Sequence, residues 1–301
     1  MEVSVVILAK NEEKCIGSAL EMVFRQEIDA SYEVIVIDSG SLDATLETTR
    51  RYPARIVTIK PEEFGHSRTR NLGVQLSKGE YVVFLTADAI PASNTWLKNL
   101  IQPFKQNSQV AGVYSRQIPR RGCYPPEARD ISAGAGLIRR VKFINPQDSA
   151  QVAYFNQNVW KLITFSNVSS AYRKDLLEQH PFTLDLPAVE DQEWAYRLIK
   201  SGMVICYEPT SSVYHSHNDS LCRLYSRYYK YGCSFKKFIP DPRRGTFYYF
   251  IKITAYEAIL DYIFLWGYPE VLIKKIFWIF YLPLFRAVKN LAFYQGFKNK
   301  T

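Results

Sequence analysis

The chain of 301 residues predicts an α/β fold, a mostly parallel sheet flanked by helices, followed by a helical C-terminal region. Short β-branched apolar runs alternate with segments of helical spacing, and polar residues follow the ends of those runs. Beyond residue 220 the composition becomes aromatic and basic. We therefore predict one domain over residues 1–220 and a separate helical region over residues 221–301.

Four apolar runs predict strands that are covered on both faces. They are Val3–Leu8, Tyr32–Ile37, Arg55–Ile59 and Tyr81–Leu85. The segments between them have helical periodicity, at Ile16–Val23, Thr45–Tyr52 and Ser67–Leu76. Strands that alternate with helices pair in parallel, so we expect their carboxyl ends to meet at one edge of the sheet, where ligands bind in such folds.

Two later segments complete the predicted domain. Gln117–Asn158 has turn-rich patches without a clean period and predicts an irregular connection. Leu184–Ser201 predicts a helix that is opened by acidic residues and stopped by Gly202, and a strand follows at Val204–Tyr207.

The charge and the cysteines limit the class of protein. The formal charge of +9, from 38 Lys and Arg against 29 Asp and Glu, favours a polyanionic partner such as nucleic acid, anionic lipid or a diphosphate. The five cysteines form no CxxC pair, which indicates neither a disulfide framework nor a zinc site and favours a reducing, cytoplasmic setting. The N-terminus predicts a first strand and not a signal peptide.

The C-terminal region predicts contact with a membrane surface. Its longest apolar run, Ile276–Phe285, has 10 residues, whereas a spanning helix needs about 20. Lys274 and Lys275 precede this run, and Arg286 and Lys289 follow it, which suits a helix in the headgroup zone of an anionic membrane. A second core or an oligomer interface is the structural alternative. Interleaved aromatic and basic residues also occur in nucleic-acid-binding proteins, but continuous apolar runs favour lipid, so no nucleic acid is expected.

Four carboxylates lie at predicted strand ends or at the start of a predicted helix, where they could bind a ligand or act as a base. Asp38 and Asp88 follow the second and fourth strands, and Glu190 and Asp191 open the acidic helix. A strand-end carboxylate accepts from a nucleotide or binds a divalent metal ion, whereas an acid in a first helical turn stays ionised and serves as a general base. Each residue also has a plain structural interpretation as a loop acid or a helix cap.

Basic and amide side chains gather in the segment Phe64–Gly73, which contains His66, Arg68, Arg70 and Asn71. Arginine binds phosphate and Asn binds a base or ribose, so we predict a binding loop; the alternative is a solvated helix face.

His215 and His217 alternate, so on an extended segment both point the same way. One of them is predicted to complete a metal site or to contact a diphosphate, against the alternative of polar surface.

Five strings resemble the inverting, metal-dependent family 2 glycosyltransferases of GT-A fold over about residues 3–218. In order, they are SVVILAKNEE, VIVIDSGSLDAT, FGHSRTRNLG, LTADAIP and AVEDQEWAYRL. Within that family, the third and fourth strings and YSRQIPRR are most similar to bacterial rhamnosyltransferases of cell-surface polysaccharide synthesis. A nucleotidyltransferase of related fold is disfavoured, because no glycine-rich loop follows the first strand.

The resemblance implies a nucleotide-sugar donor, dTDP-L-rhamnose first and a UDP-hexose as the alternative, and a lipid-linked saccharide acceptor. It implies Mg²⁺ or Mn²⁺ as cofactor, transfer with inversion, and a peripheral location on the cytoplasmic face of the cell membrane. Asp191 would be the general base, and Asp88 and His215 would hold the metal, although Thr86-Ala87-Asp88 has one carboxylate where the family has a DxD. Predicted nucleotide contacts are Ala9, Asn11, Glu12, Asp38, Arg68, Arg70 and Asn71; residues near the acceptor or supporting the site are Glu190, Trp194 and His217.

Overall fold

The predicted apolar runs become neighbouring strands of one sheet in the computed structural model, which describes residues 1–134 and 136–299. In this part of the chain the strands are β1 (Val3–Ala9), β2 (Tyr32–Asp38), β3 (Arg55–Thr58), β4 (Tyr81–Thr86), β5 (Ile90–Pro91), β6 (Val110–Ile118), β7 (Arg140–Lys142), β8 (Ser169–Arg173) and β9 (Val204–Tyr214). The order across the sheet is β3-β2-β1-β4-β8-β6-β9-β5, and β7 pairs with β9.

Helices connect these strands and then continue alone toward the C-terminus. They are α1 (Ile16–Phe24), α2 (Thr45–Thr49), α3 (His66–Leu76), α4 (Trp96–Gln106), α5 (Pro125–Gly134), α6 (Ser149–Leu162), α7 (Lys174–Gln179), α8 (Glu190–Lys200), α9 (Leu221–Lys236), α10 (Phe247–Gly267) and α11 (Leu272–Lys298). The predicted α/β fold with flanking helices and a helical C-terminal region is confirmed.

The chain divides into two units by its contacts. The first unit holds the whole sheet and comprises Met1–Ile118, Ala135–Asp185 and Glu190–His215. The second unit is helical and comprises Pro119–Gly134, Leu186–Val189 and Ser216–Thr301.

Parallel pairing aligns the ends of the first strands. β1 pairs in parallel with both β2 and β4, and β2 pairs in parallel with β3. The register places Ala9 beside Asp38 and Leu8 beside Thr86. β8 then runs antiparallel to both β4 and β6, so the sheet is of mixed direction, which the sequence did not indicate. Buried β-branched residues fill β1 and β2, as expected for strands covered on both faces.

Two predicted segments need correction. Gln117–Asn158 is not irregular throughout, because it contains α5, β7 and most of α6, which is capped by the Asp148 side chain. The acidic helix begins at Glu190 and not at Leu184, because Val189 has φ 55°, which is not a helical value. Its end after Lys200 agrees with the prediction, and Gly202 follows with φ 88°, which favours glycine.

The helical unit is held together by close helix packing and by buried charge. Gly232 of α9 and Gly296 of α11 lie where an added Cβ would overlap the backbone of the other helix. Arg286 of α11 has no exposed surface and bonds both carboxylate oxygens of Asp261 on α10, at 2.5 and 2.7 Å. Its guanidinium also reaches Asp130 of α5 at 2.7 Å. These buried partners tie α5, α10 and α11 together.

The apolar run Ile276–Phe285, of 10 residues, is only part of a longer helix. It lies inside α11, a continuous helix of 27 residues. By length and composition alone, α11 is the one helix among the described residues that could cross a membrane. The predicted flanking role of Arg286 and Lys289 is also corrected, because both are buried in ion pairs, Lys289 with Asp130 and Glu257.

Candidate active site

The loops that follow β1 and β2 are bonded to each other. The backbone N–H of Asn11 donates to Ser41 Oγ at 2.9 Å, and Asn11 Oδ1 accepts from the backbone N–H of Leu42 at 2.8 Å. The next residue, Glu12, donates its N–H to Thr45 Oγ1 at 2.7 Å. Asn11 adopts a left-handed φ of 54°, which asparagine tolerates better than most residues. Its amide oxygen therefore fixes the loop.

Asp38 has no exposed surface and organises the turn after β2. Its Oδ2 accepts from the N–H groups of Gly40 and Ser41, both at 3.0 Å, and its Oδ1 accepts from Ser41 Oγ. Gly40 is required there, because φ is 79° and a Cβ would lie 2.8 Å from Pro61 Cγ. Because it has no exposed surface, the Asp38 carboxylate holds this turn and presents no oxygen to solvent. Ala9 is buried beside Asp38 in the sheet.

Helix α3 separates the residues of the FGHSRTRN string onto two faces. Arg68 is exposed and lines a cavity of about 510 Å³ with Leu72 and Leu184. Arg70 is buried, and its guanidinium faces the protein interior. The Asn71 amide is engaged by the backbone of Phe182, donating to its carbonyl at 2.9 Å and accepting from its N–H at 3.0 Å. Of these three predicted nucleotide contacts, Arg68 faces solvent, while Arg70 and Asn71 bind protein groups.

Asp88 and His215 come together beyond β4 and β9. His215 Nε2 lies 3.4 Å from Asp88 Oδ2. His215 Nδ1 lies 2.9 Å from Gln117 Oε1, while Gln117 Nε2 donates to Ser166 Oγ at 3.0 Å. An amide oxygen can only accept, so His215 Nδ1 donates to Gln117 Oε1, and Nε2 is the ring nitrogen that faces Asp88. A carboxylate oxygen and an imidazole nitrogen that face each other suit a cation.

Glu190 and Asp191 open α8 at the same end of the sheet. Asp191 Oδ2 accepts from the N–H of Asn167 at 2.8 Å, and Oδ1 accepts from the N–H of Gln192 at 2.8 Å. The next residue, Val168, accepts through its carbonyl from the N–H of Thr86 at 3.1 Å. The segment that holds Asp191 therefore runs along the end of β4, two residues before Asp88.

Burial and neighbouring charge set the two acids apart. Burial, followed by the charge of Glu190, raises the pKa of Asp191 to about 7. Burial also opposes ionisation of Glu190, but Arg70 and His66 outweigh it and hold the pKa of Glu190 below its ordinary value. The pair thus provides one carboxylate that stays ionised and one that takes up a proton near neutral pH.

The remaining predicted residues lie at different depths. Trp194 has no exposed surface, and its Nε1 donates to the carbonyl of His180 at 2.8 Å, so it supports α8 from the core and does not face an acceptor. His217 lies two residues beyond His215, in the helical unit. Gln117 and Asn167 were missed by sequence reasoning, because a lone amide beside an apolar strand has no distinctive pattern.

A sheet of this order, with carboxylates beyond the parallel strand ends and an acid-opened helix at the same edge, is the arrangement of the GT-A fold. Solved structures agree on the fold. The Pyrobaculum calidifontis mannosyltransferase solved with GDP-mannose and Mn²⁺ has a TM-score of 0.59 at 19% identity over 96% of this chain and 87% of that one. Staphylococcus aureus TarS (residues 1–349) has a TM-score of 0.55 at 16% identity over 95% and 71%.

The sequence comparisons define the family. Residues 4–180, more than half of the chain, match the profile of glycosyl transferase family 2, and the chain belongs to this family. The O-antigen chain rhamnosyltransferase WbaN of Salmonella anatum is 30% identical over 69% of this chain, a match that spans 64% of that protein's length. The O-antigen chain rhamnosyltransferase RfbN of Salmonella typhimurium is 29% identical over 77% of this chain and 72% of that one. The predicted resemblance to bacterial rhamnosyltransferases is confirmed.

The raised pKa of Asp191 predicts a pH-dependent effect of its replacement on stability. The Asp191 carboxyl ionises near pH 4 in the unfolded chain and near pH 7 in the folded chain. The loss of folding stability that this carboxyl causes therefore grows as the pH rises from 4 to 7 and stays constant above pH 7. Asp191→Asn removes this cost. We expect the melting temperature of the variant, relative to the unsubstituted protein, to rise by several degrees between pH 5 and pH 8.

The matched control is Asp29→Asn, because the Asp29 side chain is fully exposed. Its melting temperature should keep a constant offset across the same range in differential scanning fluorimetry. An Asp191→Asn offset that is equally independent of pH would contradict the raised pKa.

Proposed function

We propose that this protein transfers a sugar, L-rhamnose from dTDP-L-rhamnose as first choice, to a lipid-linked saccharide with inversion at the anomeric carbon. The observation that carries the proposal is the Asp191 carboxylate, held beside the end of β4 near Asp88, in a chain similar to two O-antigen chain rhamnosyltransferases. A UDP-hexose donor is the second candidate.

The reaction needs one proton acceptor and one site for the departing diphosphate. Asp191 accepts the proton of the acceptor hydroxyl, whose oxygen forms a bond to the anomeric carbon as the bond to the diphosphate oxygen breaks. Attack from the face opposite to the leaving group inverts the configuration. The raised pKa of Asp191 matches a base that works near neutral pH.

Asp88 and His215 fit a divalent cation. They offer one carboxylate oxygen and one imidazole nitrogen, and such sites are completed by substrate phosphates and water. Gln117 holds the imidazole ring so that Nε2 points toward Asp88. A bound Mg²⁺ or Mn²⁺ would offset the charge of the leaving diphosphate. The nitrogen ligand favours Mn²⁺ over Mg²⁺.

The nucleotide is proposed to lie over the ends of β1 and β2. The turn that Asp38 fixes and the hydrogen-bonded loops of Asn11 and Glu12 shape the floor of this site. Exposed Arg68 is the arginine of α3 that can reach a phosphate, whereas Arg70 is engaged inside the protein.

The helical unit is proposed to rest on the anionic cytoplasmic face of the cell membrane. The α10–α11 hairpin exposes large apolar side chains, with Trp266, Leu272 and Phe280 each more than 70% exposed. Lys274 and Lys275 follow Leu272, so cations stand where lipid headgroups would lie.

A surface position fits this hairpin better than a spanning one. The second half of α11 buries Arg286 and Lys289 against acidic partners of α5 and α10, which requires protein contact along the helix. Paired in this way, the two cations are satisfied without entering lipid.

The donor is tested by thermal stabilisation with nucleotides. A ligand that binds the folded state raises the melting temperature, so dTDP with Mn²⁺ should raise it more than either alone. Asp88→Asn should remove the Mn²⁺-dependent part of the shift, and Asp29→Asn should not. A larger shift with UDP would assign a UDP-sugar donor, and no shift with dTDP, UDP or GDP would contradict the proposal.

The base is tested by Asp191→Asn. The amide keeps the size of the side chain but accepts no proton, so kcat should fall by about 10²-fold or more. Isothermal titration should give donor binding close to that of the unsubstituted protein. Unchanged kcat would remove Asp191 from this role.

Membrane binding is tested by flotation with vesicles that contain an anionic lipid. The full chain should float, and the triple variant Trp266→Glu, Leu272→Glu, Phe280→Glu should stay at the bottom, because it loses apolar contact and gains negative charge. Tyr154→Glu is the control, an exposed aromatic of the sheet-bearing unit, and should float. A triple variant that still floats, or a hairpin that instead forms a dimer without binding vesicles, would contradict this part of the proposal.

A further inference from the structure

A buried ion pair stands directly behind the acid that is proposed as the base. Arg70 Nη1 lies 2.5 Å from Glu190 Oε1, and each side chain is only 6% exposed. Arg70 comes from α3, whereas Glu190 is the residue before Asp191 in the first turn of α8. Because a buried charge without a partner is strongly unfavourable, the pair fixes the start of α8 against α3.

Asn167 links this pair to Asp191. Its Nδ2 donates to Glu190 Oε1 at 3.2 Å, and its backbone N–H donates to Asp191 Oδ2 at 2.8 Å. Its Oδ1 accepts from Ser170 Oγ at 2.8 Å and from Tyr172 Oη at 2.6 Å. The ionised Glu190 carboxylate can only accept, so the amide must present Nδ2 to Glu190, and Oδ1 then accepts from the two hydroxyls.

We propose that Arg70, Glu190 and Asn167 are positioning residues that hold Asp191 in place and tune it as a base, acting on the reaction through Asp191. This inference rests on the proposed function of Asp191. It gives Arg70 a role that differs from its predicted contact with the nucleotide, whereas support of the site was one of the two roles predicted for Glu190.

Charges of both signs act on the Asp191 carboxyl. The charge of Glu190 disfavours ionisation of its neighbour, whereas the Arg70 charge and the Asn167 N–H favour it. His66 acts on Glu190, and the charge of Asp191 acts in turn on Tyr172. Glu190 and Arg70 therefore oppose each other, and together they keep a partly buried base near the working pH.

Backbone conformation supports a site held under constraint. Val189, directly before Glu190, has φ 55°, a value that is unfavourable for a β-branched residue. Strained residues of this kind persist where surrounding contacts determine the conformation, and they cluster at functional sites. The Arg70–Glu190 bond supplies such a contact at the next residue.

Replacement of the pair tests the proposal through the pH profile. Glu190→Gln removes the negative neighbour, so the acidic limb of kcat/KM should move to lower pH by about one unit or more. The double variant Arg70→Gln/Glu190→Gln loses both charges, so its limb should lie between those of Glu190→Gln and the unsubstituted protein. KM for the donor should change little, because these residues act on the base.

The double variant is expected to fold even if the single variant Glu190→Gln does not. Removal of one member of a buried pair is destabilising, whereas replacement of both by neutral groups of similar size is far better tolerated. The control is Arg51→Gln/Glu47→Gln, which makes the same change of charge in an ion pair that is exposed on both sides, and its pH profile should match that of the unsubstituted protein.

A direct titration keeps this test separate from the proposed function. In protein labelled with ¹³C at aspartate carboxyls, the Asp191 signal is identified as the one missing in Asp191→Asn. The pH midpoint of its titration should be lowest in Glu190→Gln, intermediate in the double variant and highest in the unsubstituted protein. If no donor supports transfer, the proposed function fails. The titration still tests whether Arg70, Glu190 and Asn167 set the pKa of Asp191. Folded Glu190→Gln and double variants whose Asp191 midpoints equal that of the unsubstituted protein would overturn the inference.

Discussion

Parallel pairing of β1 with both β2 and β4 is the constraint on which the site depends. It places the ends of three strands at one edge, so that the Asn11 loop, the Asp38 turn and Asp88 become neighbours although they are distant in sequence. The antiparallel strand β8 then carries Asn167 to the same edge, where it holds Asp191. The chemistry thus follows from strand direction and register more than from any single motif.

The second constraint is the treatment of charge inside the protein. A buried ion is tolerated only with a partner, and both units of this chain obey that rule. In the sheet-bearing unit Arg70 neutralises Glu190, and in the helical unit Arg286 is bonded to Asp261 and Asp130. These pairings lower the number of cations that can meet a phosphate or a lipid below the 38 Lys and Arg of the sequence, but they do not reduce the net charge of +9.

Sequence reasoning predicted the fold and the positions of the acids, because apolar periodicity and strand ends are local signals. It did not predict that Arg70 turns inward while Arg68 turns outward, since both lie in one basic string and only the packing of α3 separates them. Gln117 and Asn167 carried no signal, because their importance comes from partners far along the chain. The helices α5 and α6 were missed because they bury few apolar residues, Phe155 and Val159 in α6 and mainly the first turn in α5, so neither has a clear helical period.

In the proposed mechanism, one carboxylate base directs a single displacement on a nucleotide sugar. The most direct measurement is NMR analysis of the product formed from dTDP-L-rhamnose and a lipid-linked saccharide in the presence of Mn²⁺. We predict a saccharide lengthened by one rhamnose whose anomeric configuration is opposite to that in the donor, and formation of this product that is slower by about 10²-fold or more with Asp191→Asn. A product with the donor's configuration, or equal yield from the variant, would contradict the account.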